Sequence, residues 1–128
     1  MINDLSYQVL KNALDASSMR QNAISSNIAN VNTTGYKAEN VEFESELQKA
    51  LGENGITMTS TNEKHFGGSA AYVSPQAVTN NSTSMNENGN NVDIDKQMVD
   101  LSANEIYYSG LVDQLNIKLS SMSYVINK

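Results

Sequence analysis

The sequence contains no cysteine, no tryptophan and a single histidine, His65. The lack of cysteine excludes disulfides, thiolate zinc sites and cysteine nucleophiles. One histidine cannot build a metal site that needs several. Glu63 lies near His65 in the sequence, but no Gly-x-Ser-x-Gly turn or paired acidic site accompanies them. We therefore expect no catalytic residue, no metal and no cofactor.

Positive charge is also scarce, with 8 Lys and Arg against 14 Asp and Glu and a net charge of −6. Because phosphate binding needs a basic face, nucleic acid is not an expected partner. No apolar run approaches the length of a membrane span, and residues 1–31 lack the basic start and apolar core of a secretory signal. We expect a protein that does not span the membrane and that, if exported, uses a route without a cleavable signal peptide.

Apolar residues make up only 39% of a chain of 128 residues, and two of them are phenylalanines. This length fits one domain, over residues 1–128, but the apolar content is low for a compact core of that size. We expect the protein to bury part of its apolar surface against neighbouring molecules.

The first part of the chain has residues at alternating spacings of three and four, which is the seam of an amphipathic helix. The sequence predicts this helix over residues 1–31. Asn30, Asn32 and Gly35 tolerate left-handed backbone conformations, so the helix should end near Val31. Ser17 and Gln21 weaken the seam at its middle. The predicted seam consists of Leu10, Leu14, Ser17, Gln21, Ile24, Ile28 and Val31.

The last part of the chain keeps the same alternation for longer and predicts a helix over residues 93–128. Asp93 is a suitable N-cap for it. Only Glu105 breaks the seam. The predicted seam consists of Ile94, Met98, Leu101, Glu105, Tyr108, Val112, Leu115, Leu119, Met122 and Ile126.

A second stripe lies on a different side of the same predicted helix. One partner helix within the chain cannot cover both faces, and an exposed apolar ribbon of this length is unusual. We therefore expect the stripe to contact other subunits. It consists of Val99, Ala103, Ile106, Gly110, Ile117 and Tyr124.

Between the two helices, residues 32–92 form an irregular central segment. Phe43, Leu47 and the residues up to Leu51 predict a short helix that ends at Gly52. Residues 56–59 and 71–73 are candidate strands of a small β-hairpin, and the polar residues 80–91 predict a mobile loop. The predicted fold is all-α, with long N- and C-terminal helices that pair as a coiled-coil-like hairpin around this segment.

Two stretches, one near each end of the chain, carry a family resemblance. Residues 25–37, SSNIANVNTTGYK, resemble the N-terminal signature of the flagellar axial family, which includes rod, hook and hook-associated proteins. Residues 89–101, GNNVDIDKQMVDL, resemble the segment that opens its C-terminal helix. Thr34 departs from the pattern, because relatives commonly carry proline before the glycine. The residues that carry the resemblance are Asn27, Asn30, Asn32, Gly35, Tyr36, Asn91, Val92 and Asp93.

The resemblance implies a structural subunit that is not an enzyme, and the short chain suggests the proximal rod. Such a subunit is exported unfolded through the flagellar type III apparatus into the basal body, where the rod crosses the periplasmic space or cell wall. It assembles helically, links the membrane ring and export gate to the distal rod, and transmits torque for motility. The implied partners are copies of itself, the rod proteins FlgC and FlgF, FliE and export-gate components.

Two alternatives stay open at this point. The chain could be another axial subunit such as FlgC, or more remotely a helical-hairpin export chaperone or adaptor. The pair Phe43 and Leu47 also has two readings of equal weight. It resembles the short aromatic-led signal that early rod and hook substrates present to the export gate, or it packs the short central helix.

Overall fold

A computed structural model describes residues 4–51, 69–82 and 87–127 of the protein. In chain order they form helix α1 (Leu5–Ala29), strand β1 (Glu39–Glu42), helix α2 (Glu44–Leu51), a single 3₁₀ turn (Ser69–Tyr72), strand β2 (Gln76–Thr79) and helix α3 (Ile94–Ile126). The mostly helical architecture with two long terminal helices confirms the predicted fold class.

Both long helices begin at an aspartate that caps them. The Oδ1 atom of Asp4 accepts the backbone N–H of Ser6 at 3.1 Å, and Oδ1 of Asp93 accepts that of Lys96 at 3.1 Å. Each bond satisfies an N–H group that has no partner within the first turn of a helix. α1 ends at Ala29, slightly earlier than predicted, because Asn30 is the C-cap and has left helical geometry.

α1 and α3 pair in antiparallel orientation. Asp4 forms an ion pair with Lys118, Ser17 hydrogen-bonds Asn104, and Asn27 hydrogen-bonds Gln97. Positions that rise along α1 therefore meet positions that fall along α3. The predicted helical hairpin is confirmed.

The apolar core is small and lies between α1 and the central segment. Phe43, whose side chain is 1% exposed, packs with three alanines of α1 and with Val41. Met19, Leu47, Val73 and Leu111 are partly buried against this cluster. Alanines on α1 leave room for the phenylalanine ring, and Phe43 is the largest fully buried side chain among the described residues.

β1 and β2 form a two-stranded antiparallel sheet, with Glu39 opposite Thr79 and Val41 opposite Ala77. The predicted strand at residues 71–73 is wrong, since the chain makes its 3₁₀ turn at Ser69–Tyr72. The predicted strand at residues 56–59 lies outside the described residues. β1 carries glutamate and asparagine, which are rare in strands, so its composition does not indicate the sheet.

The prediction of a mobile loop over residues 80–91 is wrong at its C-terminal end. Asn90 and Asn91 are buried, and their side chains hydrogen-bond to backbone atoms far away in the sequence. Residues 83–86 of that stretch lie outside the described residues. Polar composition predicted a loop but gave no sign of these hydrogen bonds.

Candidate functional site

The end of α1 and the start of α3 are joined by asparagine side chains, which we call the asparagine junction (Asn27, Asn90 and Asn91). Asn90 is fully buried, and its Nδ2 donates to the carbonyl oxygens of Asn30, Val31 and Thr33 at 2.8, 2.9 and 3.0 Å. These carbonyls belong to the C-cap residue of α1 and to the turn that follows it, where the helical hydrogen bonds have ended. A side chain placed just before α3 thus fixes the turn at the end of α1.

Asn27 uses all the hydrogen-bonding capacity of its amide. Its Nδ2 donates to the Glu39 carbonyl at 2.8 Å and to Oε1 of Gln97 at 3.0 Å. Its Oδ1 accepts the Glu39 N–H at 2.9 Å and the Tyr36 hydroxyl at 3.2 Å. The two bonds to Glu39 imitate a neighbouring strand, so Asn27 connects α1 to the edge of β1 as well as to α3.

Asn91 holds the base of the two-stranded sheet. Its Oδ1 accepts the N–H of Ala38 at 2.7 Å, and its Nδ2 donates to the Asn80 carbonyl at 2.8 Å. The backbone N–H of Asn80 donates to the Ala38 carbonyl at 2.8 Å. The segments before β1 and after β2 are therefore fixed to the entry of α3.

Two glycines bring the chain segments of the junction close together. Gly35 and Gly89 have φ values of +72° and +82°, a left-handed conformation that favours glycine. The Gly35 N–H donates to the Asn88 carbonyl at 3.0 Å. Lys37 Nζ donates to the Gly89 carbonyl at 3.0 Å and contacts that of Ser82 at 3.4 Å. The lysine ammonium thus lies within a group of backbone oxygens.

The other predicted motif residues surround this junction. Asn30 is half-buried, and its Nδ2 donates to the Ser26 carbonyl at 2.8 Å. Val92 is buried and Asp93 caps α3, whereas Asn32 is exposed in the turn after α1. The structure thus brings both resembling segments into one place.

Sequence reasoning did not single out Asn90, Gln97 or Asn104, which are all buried. Asn104 accepts a bond from the Ser17 hydroxyl at 3.0 Å and donates to the Ser17 carbonyl at 3.0 Å. A helical period is visible in a sequence through its apolar residues, so polar residues at buried positions give no such signal. The spacing of Gln97, Leu101 and Asn104 is nevertheless that of a seam, and it could have indicated them.

Because Gln97 and Asn104 are buried, α3 is rotated about its own axis relative to the orientation that the predicted seam implies. In α1, Ile24 is buried and the other apolar seam residues are half-buried. In α3, Leu101, Val112, Leu115 and Met122 are half-buried, whereas Met98, Tyr108 and Leu119 are about half exposed. These three contribute less to the contact within the chain than predicted, and a role in packing between subunits stays a prediction.

The second stripe of α3 is exposed in the single chain. Ile106 is 76% exposed and Ile117 59% exposed, and Val99, Ala103, Gly110 and Tyr124 are exposed too. Asp113, exposed at the position one heptad after Ile106, interrupts the stripe. A contact between subunits through this face stays a prediction.

Phe43 directly precedes α2 and Leu47 lies in its first turn, where the backbone N–H of Leu47 donates to the Phe43 carbonyl at 2.8 Å. Both side chains belong to the core or pack against it. The packing alternative therefore has a direct structural basis, and recognition by an export gate stays a prediction.

An open groove of about 330 Å³ runs between α1, α3 and β1. Arg20 lies in it, 2.7 Å from a carboxylate oxygen of Glu44 and over the ring of Tyr107. Burial, and then the nearby Glu44 carboxylate, raise the pKa of Tyr107. Arg20 thereby connects α1 to α2 through an ion pair and to α3 through a cation–π contact, and both contacts are structural.

The described ranges, 4–51, 69–82 and 87–127, contain neither a metal-binding cluster nor a membrane-spanning helix. Nowhere in them do three histidine or acidic side chains come together as ligands for a metal ion. No helix in these ranges has both the length and the apolar character needed to cross a membrane.

Comparison with known proteins shows which family the chain belongs to. Residues 8–37 match the family described as Flagella basal body rod protein. Flagellar basal body rod protein FlgB of Bacillus subtilis is 36% identical over 119 residues, which cover 93% of this chain and 91% of that protein. FlgB of Borreliella burgdorferi is 39% identical over 102 residues, covering 74% and 76%. FlgB of Aeromonas hydrophila is 29% identical over 119 residues, covering 93% and 90%.

The matched stretch of residues 8–37 contains most of α1 and Asn27 of the asparagine junction. The relatives extend the similarity through α3, so the protein is of the flagellar basal body rod class. Because similarity to FlgB extends over nearly the whole length, the chain belongs to the FlgB family of flagellar basal body rod proteins.

Proposed function

We propose that this chain is a structural, non-catalytic subunit of the proximal part of the flagellar rod. The observation that carries the proposal is the similarity to FlgB over 93% of the chain, since those relatives are named as rod proteins of the basal body. The relatives also favour this function over the alternatives of FlgC or an export chaperone. In the basal body the subunit would assemble helically with copies of itself and with other rod proteins.

The rod role also suits the shape of the subunit. α3 contains 33 residues, about 50 Å of helix, and it exposes an apolar stripe along one side. Packing this stripe against neighbouring subunits would build a continuous helical wall. Such a wall could link the membrane ring and export gate to the distal rod and transmit torque. The proposed neighbours are FlgC, FlgF, FliE and components of the export gate.

Export as an unfolded chain belongs to the same proposal. The core depends on one phenylalanine and three alanines, so little apolar burial has to be undone before passage through a narrow channel. We propose that the flagellar type III apparatus exports the chain without a cleavable signal peptide. The destination is the rod, in the periplasmic space or cell wall.

The rod proposal is tested by purifying basal bodies and detecting this chain in them after a high-salt wash. We expect stable retention in the basal body, and loss of the rod when the gene is deleted. A chain that stays in the cytosol, bound to a single client protein, would instead identify an export chaperone.

The assembly surface is tested separately with Ile106→Asp. We expect normal synthesis and export, with no rod and no motility. An unpaired charge buried between subunits costs several kcal/mol, whereas the same side chain is exposed to water in the free subunit. The measurements are swimming in soft agar and the yield of rods in basal-body preparations.

Asn116→Asp is the matched control, because it adds the same charge at an exposed polar position on a different side of α3. It should support normal swimming. Normal rods built from Ile106→Asp would show that the stripe is not a contact between subunits, without changing the assignment to the basal body.

A further inference from the structure

The loop before α3 contains three asparagines with the same local geometry. The side-chain Oδ1 of Asn80, Asn88 and Asn90 accepts the backbone N–H two residues further on, at 2.9, 3.1 and 2.7 Å. This bond holds the side-chain amide over the intervening peptide group. Asn88 alone among these three is followed by glycine, whereas Asn80 and Asn90 are each followed by another asparagine.

We propose that Asn88 is a site of spontaneous deamidation. The backbone nitrogen of Gly89 loses its proton and forms a bond to Cγ of Asn88. The bond from Cγ to Nδ2 breaks, and ammonia leaves with the proton. Water then opens the five-membered imide. Attack on its backbone carbonyl gives isoaspartate, attack on Cγ gives aspartate, and neither step oxidises or reduces any atom.

The hydrogen bond to Oδ1 assists this attack. Negative charge develops on Oδ1 in the tetrahedral intermediate, and the Asn90 N–H already points at that atom from 3.1 Å. A donor placed in advance at a developing oxyanion stabilises the transition state more than the ground state. Gly89 has no Cβ to crowd the attacking nitrogen, and Asn88 is exposed to water.

A nearby positive charge and a hydrogen bond to the peptide group also favour loss of the proton from the Gly89 nitrogen. The ammonium of Lys37 lies 3.0 Å from the Gly89 carbonyl oxygen, so a positive charge is close to the peptide that must lose a proton. The N–H of Gly35 donates to the Asn88 carbonyl at 3.0 Å and draws electron density from the same peptide group. Both contacts favour the anionic nitrogen.

Isoaspartate would loosen the asparagine junction. It carries the main chain through the former side chain and adds one methylene between Asn88 and Gly89. The bond from Gly35 and the position of Asn90 both depend on the original backbone path. Asn90 would then no longer reach all three carbonyls at the end of α1.

The test uses the purified full chain, incubated at mildly alkaline pH with and without urea. Trypsin cleavage at Lys64 and Lys96 releases one peptide that contains all three asparagines. Fragmentation mass spectrometry locates the conversion, and labelling by isoaspartyl methyltransferase counts isoaspartate. In the folded chain we expect conversion at Asn88 at least about tenfold faster than at Asn80, a barrier difference of about 1.4 kcal/mol.

The folded rate at Asn88 should also be at least as high as the rate in urea. Asn54, which is followed by Gly55 and lies in the tryptic peptide between Lys49 and Lys64, is the sequence-matched reference in urea. Equal conversion at Asn80 and Asn88, or conversion of Asn88 only in urea, would overturn the proposal.

Variants separate the contributions. Asn88→Ser keeps a side-chain oxygen but has no amide to lose, and it should form no isoaspartate at this position. Lys37→Gln should slow deamidation of Asn88 severalfold, and an unchanged rate would show that the Lys37 ammonium does not assist the reaction.

Aged protein carries an extra negative charge and can be separated by anion exchange. We expect it to melt at a lower temperature than fresh protein, and equal melting would show that the change does not reach the junction.

Discussion

Asparagine is the side chain that the junction requires at its buried positions. Its amide carries two N–H donors and a carbonyl oxygen with two lone pairs, which is the inventory that Asn27 uses in full. An aspartate would offer acceptors only, and a leucine would leave the surrounding backbone groups unpaired. A buried polar group lowers the stability of the fold little when all its hydrogen bonds are made, and much when a donor or acceptor is left without a partner.

We expect Asn90→Ala to lower the free energy of unfolding by about 2 kcal/mol, because the carbonyls of Asn30, Val31 and Thr33 lose the amide that donates to them and the fully buried side chain is removed. Urea unfolding followed by circular dichroism measures this change. Asn81→Ala, at an exposed position in the same loop, is the control and should stay within about 0.5 kcal/mol of the unchanged protein. Equal effects of the two substitutions would mean that Asn90 does not stabilise the end of α1.

At the scale of elements, the helices were predictable, whereas the residues that form the small sheet were not. Both long helices repeat apolar residues with a helical period and have an aspartate or asparagine near the predicted ends. β1 has one inward residue, Val41, and its partner strand lies far along the chain. Such a pairing depends on Asn27 and Asn91, whose long-range hydrogen bonds leave no periodic signal in the sequence.

The rotation of α3 was unpredictable for a related reason. Apolar periodicity placed Met98 and Glu105 at the seam, yet their neighbours Gln97 and Asn104 are the buried residues. One residue corresponds to roughly 100° of rotation around a helix. Satisfied polar contacts with Ser17 and Asn27 therefore determine the orientation of α3 where the apolar residues alone do not.

Just before α2, we expect Phe43→Ala to destabilise the protein by about 3–5 kcal/mol, because Phe43 is the largest fully buried side chain and packs in the core. Abundance in cells should fall together with stability. Phe43→Leu keeps an apolar side chain and should cost less than about 1.5 kcal/mol, with normal abundance. Quantitative immunoblots of cells and of secreted material, beside urea unfolding of purified protein, make the comparison.

Phe43→Leu also separates the two readings of this segment. If the variant is stable and abundant but is secreted poorly, an export signal led by an aromatic residue is supported. If Phe43→Ala proves as stable as the unchanged protein, the packing interpretation is wrong.

At the scale of the whole molecule, the helical hairpin is held tightly at one end. The asparagine junction lies at that end, whereas the other end has the ion pair between Asp4 and Lys118. The hydrogen bond from the Lys118 ammonium lowers the pKa of Asp4. Both side chains are partly exposed, and such ion pairs contribute little to the stability of the fold. Local stability should therefore decrease along the hairpin from the junction to the open end.

We expect amide hydrogen exchange in the isolated subunit to be slowest around Asn27 and Gln97 and fastest in the first turns of α1 and the last turns of α3. Mass spectrometry of peptic fragments gives the profile. Lys118→Gln should speed exchange at the open end and leave the junction unchanged. Uniform protection along both helices would contradict this account.

The asparagine junction also closes the base of a loop. Side-chain and backbone hydrogen bonds join Gly35 to Asn88 and Ala38 to Asn91, so the chain between them leaves and returns at one place. Once such a base is closed, the entropic cost of a longer loop grows only with the logarithm of its length. The segment between these two hydrogen-bonded positions can therefore be lengthened while the register of the two helices is kept. In evolutionary terms, the hairpin and the core residues of the central segment form a fixed frame that accepts insertions, on which subunits of different size can be built.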